Sequence, residues 1–134
     1  MQTNLATQLW AETHFGKIML ADRRRVQRTV TIAQAMATNP GHSIPQLFPR
    51  WTDLKASYNL FNLVEATPDN LQAGHRDWVR TQLQQAGTFL LLEDTTELAW
   101  AHNQPRAGLG PVAANKPRYQ GFHLHSVLAV RSRQ

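Results

Sequence analysis

Apolar residues in the first 87 positions recur at helical spacing; after Gly87 they become an unbroken run and then alternate. The chain therefore reads as helices first and strands second. Residues 4–15 predict a first helix with Leu5, Leu9 and Trp10 on one side. Asp22 suits an N-cap, because its carboxylate accepts from free backbone N–H groups, and a second helix runs from it to about Thr38. Val26, Val30, Ala33 and Ala37 recur at i, i+4, i+7 and i+11 and predict its buried stripe. Asn39-Pro40-Gly41 ends that helix. Ser43-Ile44-Pro45 predicts a short turn or helix, closed by Pro49. Thr52 or Asp53 caps a helix through about Leu63, with Leu54, Tyr58, Leu60 and Phe61 inward. Thr67-Pro68 opens the last helix, which runs to about Gln85 with Leu71, Trp78 and Leu83 inward.

Phe89, Leu90, Leu91 and Leu92 have the composition of a strand buried on both faces, predicted over residues 88–93. An irregular segment over 100–117 follows, carrying Pro105, Gly108, Gly110 and Pro111, and a second strand is predicted over 121–131. His123 and His125 then share one strand face. They are either metal ligands lacking a third partner or ordinary surface histidines. The predicted fold class is mainly α with a small β part. Residues 1–87 form a helical bundle, and 88–134 hold the first strands of a second domain.

Composition narrows the function. A chain of 134 residues with 42% hydrophobic residues fits one domain or a domain and a part, and it has no cysteine for disulfides or thiolate metal sites. No stretch approaches the roughly 20 apolar residues of a membrane span, and the first residues lack a secretory layout, so a cytoplasmic protein is expected. The net charge is +5. Lys17, Arg23, Arg24, Arg25 and Arg28 face a single acid, Asp22, in one stretch; Arg106, Lys116, Arg118, Arg131 and Arg133 lie in an acid-free one. Clustered arginine suits nucleic-acid phosphates, though a solvated helix face has the same composition. At 100° per residue, Arg24 and Arg28 fall opposite Val26 with Arg25 beside them. Lys55 and Tyr58, three apart, share a face and form either a DNA contact or a boundary aromatic beside a surface lysine. Glu93 and Asp94 end the first predicted strand, a place where metal-dependent phosphoryl-transfer enzymes put a ligand and where a plain turn also fits. There is no glycine-rich phosphate loop, nucleophile elbow or internal repeat.

Taken in order, these residues resemble a known family. The ordered set is Trp10-Ala11 with Phe15 and Leu20; Asp22, Arg24-Arg25 and Arg28; Pro40-Gly41 with Ser43-Ile44-Pro45; Lys55-Ala56 with Tyr58; Glu93-Asp94-Thr95-Thr96-Glu97-Leu98; Leu109-Gly110; and Gly121 through Leu128. It is similar to the amino-terminal part of bacterial cut-and-paste DDE transposases of the Tn-five type, in insertion-sequence family four. The resemblance implies a helical domain that binds double-stranded transposon ends through Arg24, Arg25 and Arg28, with Lys55 and Tyr58 as further contacts. It implies an RNase-H-like domain in which Asp94 is the first catalytic aspartate and a ligand to two divalent ions, normally magnesium.

Two departures bear on function. Asn59 stands where the family commonly has an arginine after the tyrosine. Beyond Glu97 there is no Asp or Glu, so the second aspartate and the glutamate of the triad have no counterpart. Glu93 faces away from Asp94 and Glu97 is expected in the following loop, so neither substitutes. The expectation is a truncated transposase that binds transposon ends, holds no magnesium stably and does not cut DNA alone. The other readings are an active enzyme whose remainder lies in another frame or beyond these 134 residues, and a relic or regulatory competitor whose second partner is intact transposase.

Overall fold

The computed structural model describes residues 2–101, 106–112 and 118–132. Pro105, Lys116, Pro117 and Arg133, which entered the readings above, lie outside the described residues. Five helices precede three strands: α1 (Gln2–Phe15), α2 (Arg23–Thr38), α3 (Ile44–Leu47), α4 (Trp51–Phe61), α5 (Pro68–Leu83), β1 (Phe89–Ala101), β2 (Gly110–Pro111) and β3 (Tyr119–Arg131). This is the expected mainly helical chain with a small sheet. It divides into two compact units, Met1–Gln85 and Ala86–Gln134. Among the described residues no helix is long and apolar enough to cross a membrane.

The helical unit is built around Ile18, Leu20, Ile32, Phe48 and Leu60, all buried, with Val26, Leu54, Leu63 and Leu71 packed against them. A second cluster joins Ala11 of α1 to Val30 and Ala33 of α2. The buried face of α2 is Thr29, Val30, Ile32 and Ala33, while Ala37 is exposed, so the face is rotated from the predicted stripe. The reason is that α2 packs on two sides, with Ala33 toward α1 and Ile32 toward Phe48 and Leu60. Thr29 tolerates burial because its hydroxyl donates to the Arg25 carbonyl at 3.0 Å. On α1 the packed positions are Ala11 and His14, whereas Leu5 and Leu9 are exposed. On α4 the buried residues are Ser57 and Leu60; Tyr58 and Phe61, expected inward, are about half exposed.

The helix α5 contributes no buried residue, and Leu83, expected inward, is exposed. Besides the partly buried Leu71, side-chain polar groups hold it. Asn70 Nδ2 donates to the carbonyls of Met19 (2.6 Å) and Glu65 (2.8 Å), and its Oδ1 accepts from Met19 N. One turn on, α5 passes so close to α1 that a Cβ on Gly74 would lie 2.5 Å from the His14 carbonyl oxygen. There His14 and His75 meet through their Nδ1 atoms at 3.2 Å, with Trp10 and Trp78 rings against His14.

The sheet has the order β1-β3-β2, antiparallel throughout. β1 is longer than predicted: it continues through the acidic motif to Ala101, paired with β3 from Phe89↔Arg131 to Ala101↔Tyr119. Glu97 is therefore in the strand and not in a loop. Gly110 and Pro111, read as irregular, form β2 opposite Gly121 and Gln120. Gly121 is buried, and a Cβ there would run into the Leu98 carbonyl. Leu90, Leu91 and Leu92 are each more than half exposed, so β1 is not covered on both faces as its composition predicts.

Candidate nucleic-acid interface

The arginine face begins with the start of α2. Asp22 caps the helix by accepting from Arg24 N at 2.8 Å, which fixes where the next residues project. That bond, with those from the Arg24 guanidinium, holds the Asp22 carboxyl below its ordinary value. From this start Arg24, Arg25 and Arg28 fall on one side of α2, at the edge of its buried face. Together with Ala56, Asn59, Leu60 and Leu63 they line one cavity of about 340 Å³. Its lining combines three arginines and an asparagine with the aliphatic Ala56, Leu60 and Leu63.

Each of the three arginines has an acidic neighbour. Arg24 Nη2 lies 3.1 Å from Asp22 Oδ2, Arg25 Nη1 lies 3.8 Å from Glu65 Oε1, and Arg28 Nη1 lies 3.2 Å from Asp53 Oδ1. The Arg24–Asp22 and Arg25–Glu65 pairs are exposed and weak, because water and salt screen them; the Arg28–Asp53 pair is partly buried. The pairs orient the guanidinium groups, and each planar fork keeps further N–H donors of the kind that suit phosphate oxygens.

Lys55 and Tyr58 are both exposed on α4 but line no part of this cavity; Asn59 and Ala56 occupy that side of the helix. Four residues before Asn59, Lys55 lies only about 40° away around the helix, and Tyr58 lies about 100° away. The structure thus brings Arg24, Arg25 and Arg28 together and places Lys55 beside them, with Tyr58 further round. Sequence reasoning did not single out Arg50, whose Nε is 3.8 Å from Asp53 Oδ2, or the exposed Trp51. Trp51, Lys55 and Tyr58 repeat at i, i+4 and i+7 along α4, and the C-cap Asn62 follows at i+11, all exposed. That spacing is the signal in the sequence that could have found Trp51.

Asp94 is in the middle of β1, opposite Ser126, and its Oδ2 accepts from Thr96 Oγ1 at 3.0 Å. Glu93 and Glu97 sit on the other face of the strand, opposite Val127 and His123. His125 is on that other face too, its Nδ1 2.8 Å from Thr95 Oγ1. Neither the glutamates nor the histidines converge on Asp94. Among the described residues no group of three or more His, Asp or Glu is placed to hold a metal ion. One carboxylate with a hydroxyl neighbour does not fit a pair of magnesium ions, which require several oxygen ligands each.

The comparison with known families falls on the arginine-bearing part of the chain. Residues 7–65 match the family model described as transposase DNA-binding. The matched segment contains Asp22, all three cavity arginines, Arg50, Asp53, Lys55, Tyr58 and Asn59, and it ends before α5 and the sheet. The helical unit thus contains a segment similar to transposase DNA-binding regions, a likeness that supports DNA as its partner.

Proposed function

We propose that this chain attaches to the terminal-repeat DNA of a transposon through the side of the helical unit formed by α2 and α4, without catalysing cleavage by itself. The observation that carries this reading is the convergence of Arg24, Arg25 and Arg28 on one cavity beside the outer face of α4. Arginines from α2 grip phosphates, and Trp51, Lys55, Tyr58 and Asn59 of α4 face the duplex next to them. Phosphate contacts set affinity and register; the aromatic and amide groups are the ones suited to base edges. Asp94 has the position of the first aspartate of an RNase-H-like centre in this reading. Metal-dependent strand cleavage needs further carboxylates, and among the described residues of Ala86–Gln134 none shares the face of Asp94.

A mobility-shift assay with terminal-repeat duplex against random duplex of equal length tests the reading. A retarded complex favouring the repeat, weakening steeply with salt, is expected. Equal binding to both duplexes contradicts the end-specific part. The exposed leucines of β1 favour a second reading, in which 88–134 begin a larger catalytic domain and the joined product is an active transposase. The nucleotide sequence downstream of the Gln134 codon, read in all frames for Asp and Glu motifs, tests that.

A further inference from the structure

Arg28 and Arg50 come from different elements, yet one carboxylate serves both. Asp53 Oδ1 accepts from Arg28 Nη1 at 3.2 Å, and Oδ2 of the same group lies 3.8 Å from Arg50 Nε. The Arg28 and Asp53 side chains are 29% and 35% exposed, so this inner pair is sheltered, while Arg50 is 83% exposed. A carboxylate at a phosphate-binding surface opposes the approach of DNA by simple charge repulsion. Its place in the first turn of α4 favours the helix dipole, but an acid at any first-turn position does that without turning each oxygen to a different guanidinium. A guanidinium is planar with five N–H donors, so holding its inner edge fixes the direction of its outer edge.

Resting on the DNA-binding reading above, we propose that Asp53 is a positioning residue. It sets the planes of Arg28 and Arg50 so that both present their outer edges to DNA phosphates, one from α2 and one from the start of α4. Arg50 thereby becomes a phosphate contact in addition to the three cavity arginines. The proposal predicts a sign opposite to that of bulk electrostatics: removing this negative charge weakens DNA binding.

The experiment uses the full chain and a duplex that the native chain selects from a random pool. Asp53→Asn keeps the shape and removes the charge. Its affinity falls about tenfold, the loss of roughly one charge-assisted contact, and the slope of log affinity against log salt shrinks by about one. The triple variant Arg28→Ala/Arg50→Ala/Asp53→Asn loses no more than Arg28→Ala/Arg50→Ala, as expected of a group that acts through those two arginines. Asp53→Glu covers the case in which Asp53→Asn loosens α4. It keeps the first-turn charge but displaces the carboxylate by one methylene, and it also loses affinity. Asp77→Asn, a control at a surface pair with Arg80, binds like the native chain. Native or tighter binding by Asp53→Asn or Asp53→Glu overturns the proposal and leaves the DNA-binding reading standing. Failure of the native chain to select any duplex overturns both.

Discussion

The two units treat their apolar side chains in opposite ways. In Met1–Gln85, Ile18, Leu20, Val30, Ile32, Phe48 and Leu60 are each less than a tenth exposed. Among the described residues of Ala86–Gln134, only Gly121 is buried, and Leu90, Leu91, Leu92, Val127 and Leu128 stand more than half exposed. The helical unit has a core, and that core fixes where its arginines project. The sheet is held by its backbone ladder and cross-strand pairs, and the described residues of its own unit supply no layer on either face. A small sheet of that kind is marginal. The difference teaches that an ordered charged surface needs a buried scaffold beneath it: the arginine face has one, and Asp94 does not.

The largest effect that can sharpen this contrast is a leucine truncation made in both units. Leu60→Ala destabilises the helical unit by about 2–5 kcal/mol, while Leu91→Ala costs well under about 1 kcal/mol. Urea unfolding followed by far-ultraviolet circular dichroism measures both. Equal costs would mean that the sheet is covered in solution. Next in size is Gly74→Ala, which sets a methyl group against the His14 carbonyl at the α1–α5 crossing and lowers stability by about 1–3 kcal/mol. The thermal midpoint reads that loss.

A pH effect of smaller size comes from the same crossing. Burial pushes the His14 value below 6.5, and the neighbouring His75 adds to the shift. The unfolded chain therefore binds a proton there before the folded one does. The stability His14 contributes is fully present above pH 6.5 and is lost as pH falls through the lower folded value. Urea midpoints measured from pH 8 down to pH 5 should decline, and His14→Gln should flatten that decline. A native midpoint that rises on acidification contradicts the assignment. The smallest expected effect is that of Asp94→Asn, which leaves duplex affinity within about twofold of native, because DNA attachment is assigned to the helical unit alone. A loss of tenfold or more would show that the sheet takes part in binding.

Much of the helical unit was legible because its signals are local. Asp22 at an N-cap, Thr67-Pro68 at a helix start and Pro40-Gly41 at a stop act through neighbouring backbone groups, and the helices begin and end near them. Burial was less legible, because it depends on which helices meet. Ile32 became core and Leu9 did not, since α2 is packed from two sides while α1 approaches through Ala11. The apolar run stops at Leu92, so the sequence places the strand end at the acidic motif. β1 continues past it because the strand is uncovered, so Glu93, Asp94 and Glu97 remain in solvent while the ladder to β3 runs on. The grouping of Arg24, Arg25 and Arg28 followed from helical period alone. The ties to Asp53 and Glu65 did not, being contacts between segments far apart in the chain.

The most direct test compares the native chain with Arg24→Ala/Arg25→Ala/Arg28→Ala over a series of salt concentrations, using the same selected duplex and confirming by circular dichroism that both are folded. Loss of three phosphate contacts predicts an affinity at least about a hundredfold lower near 0.1 M salt and a slope of log affinity against log salt smaller by about three. A folded triple variant with native affinity and native slope would contradict the assignment of DNA binding to this face.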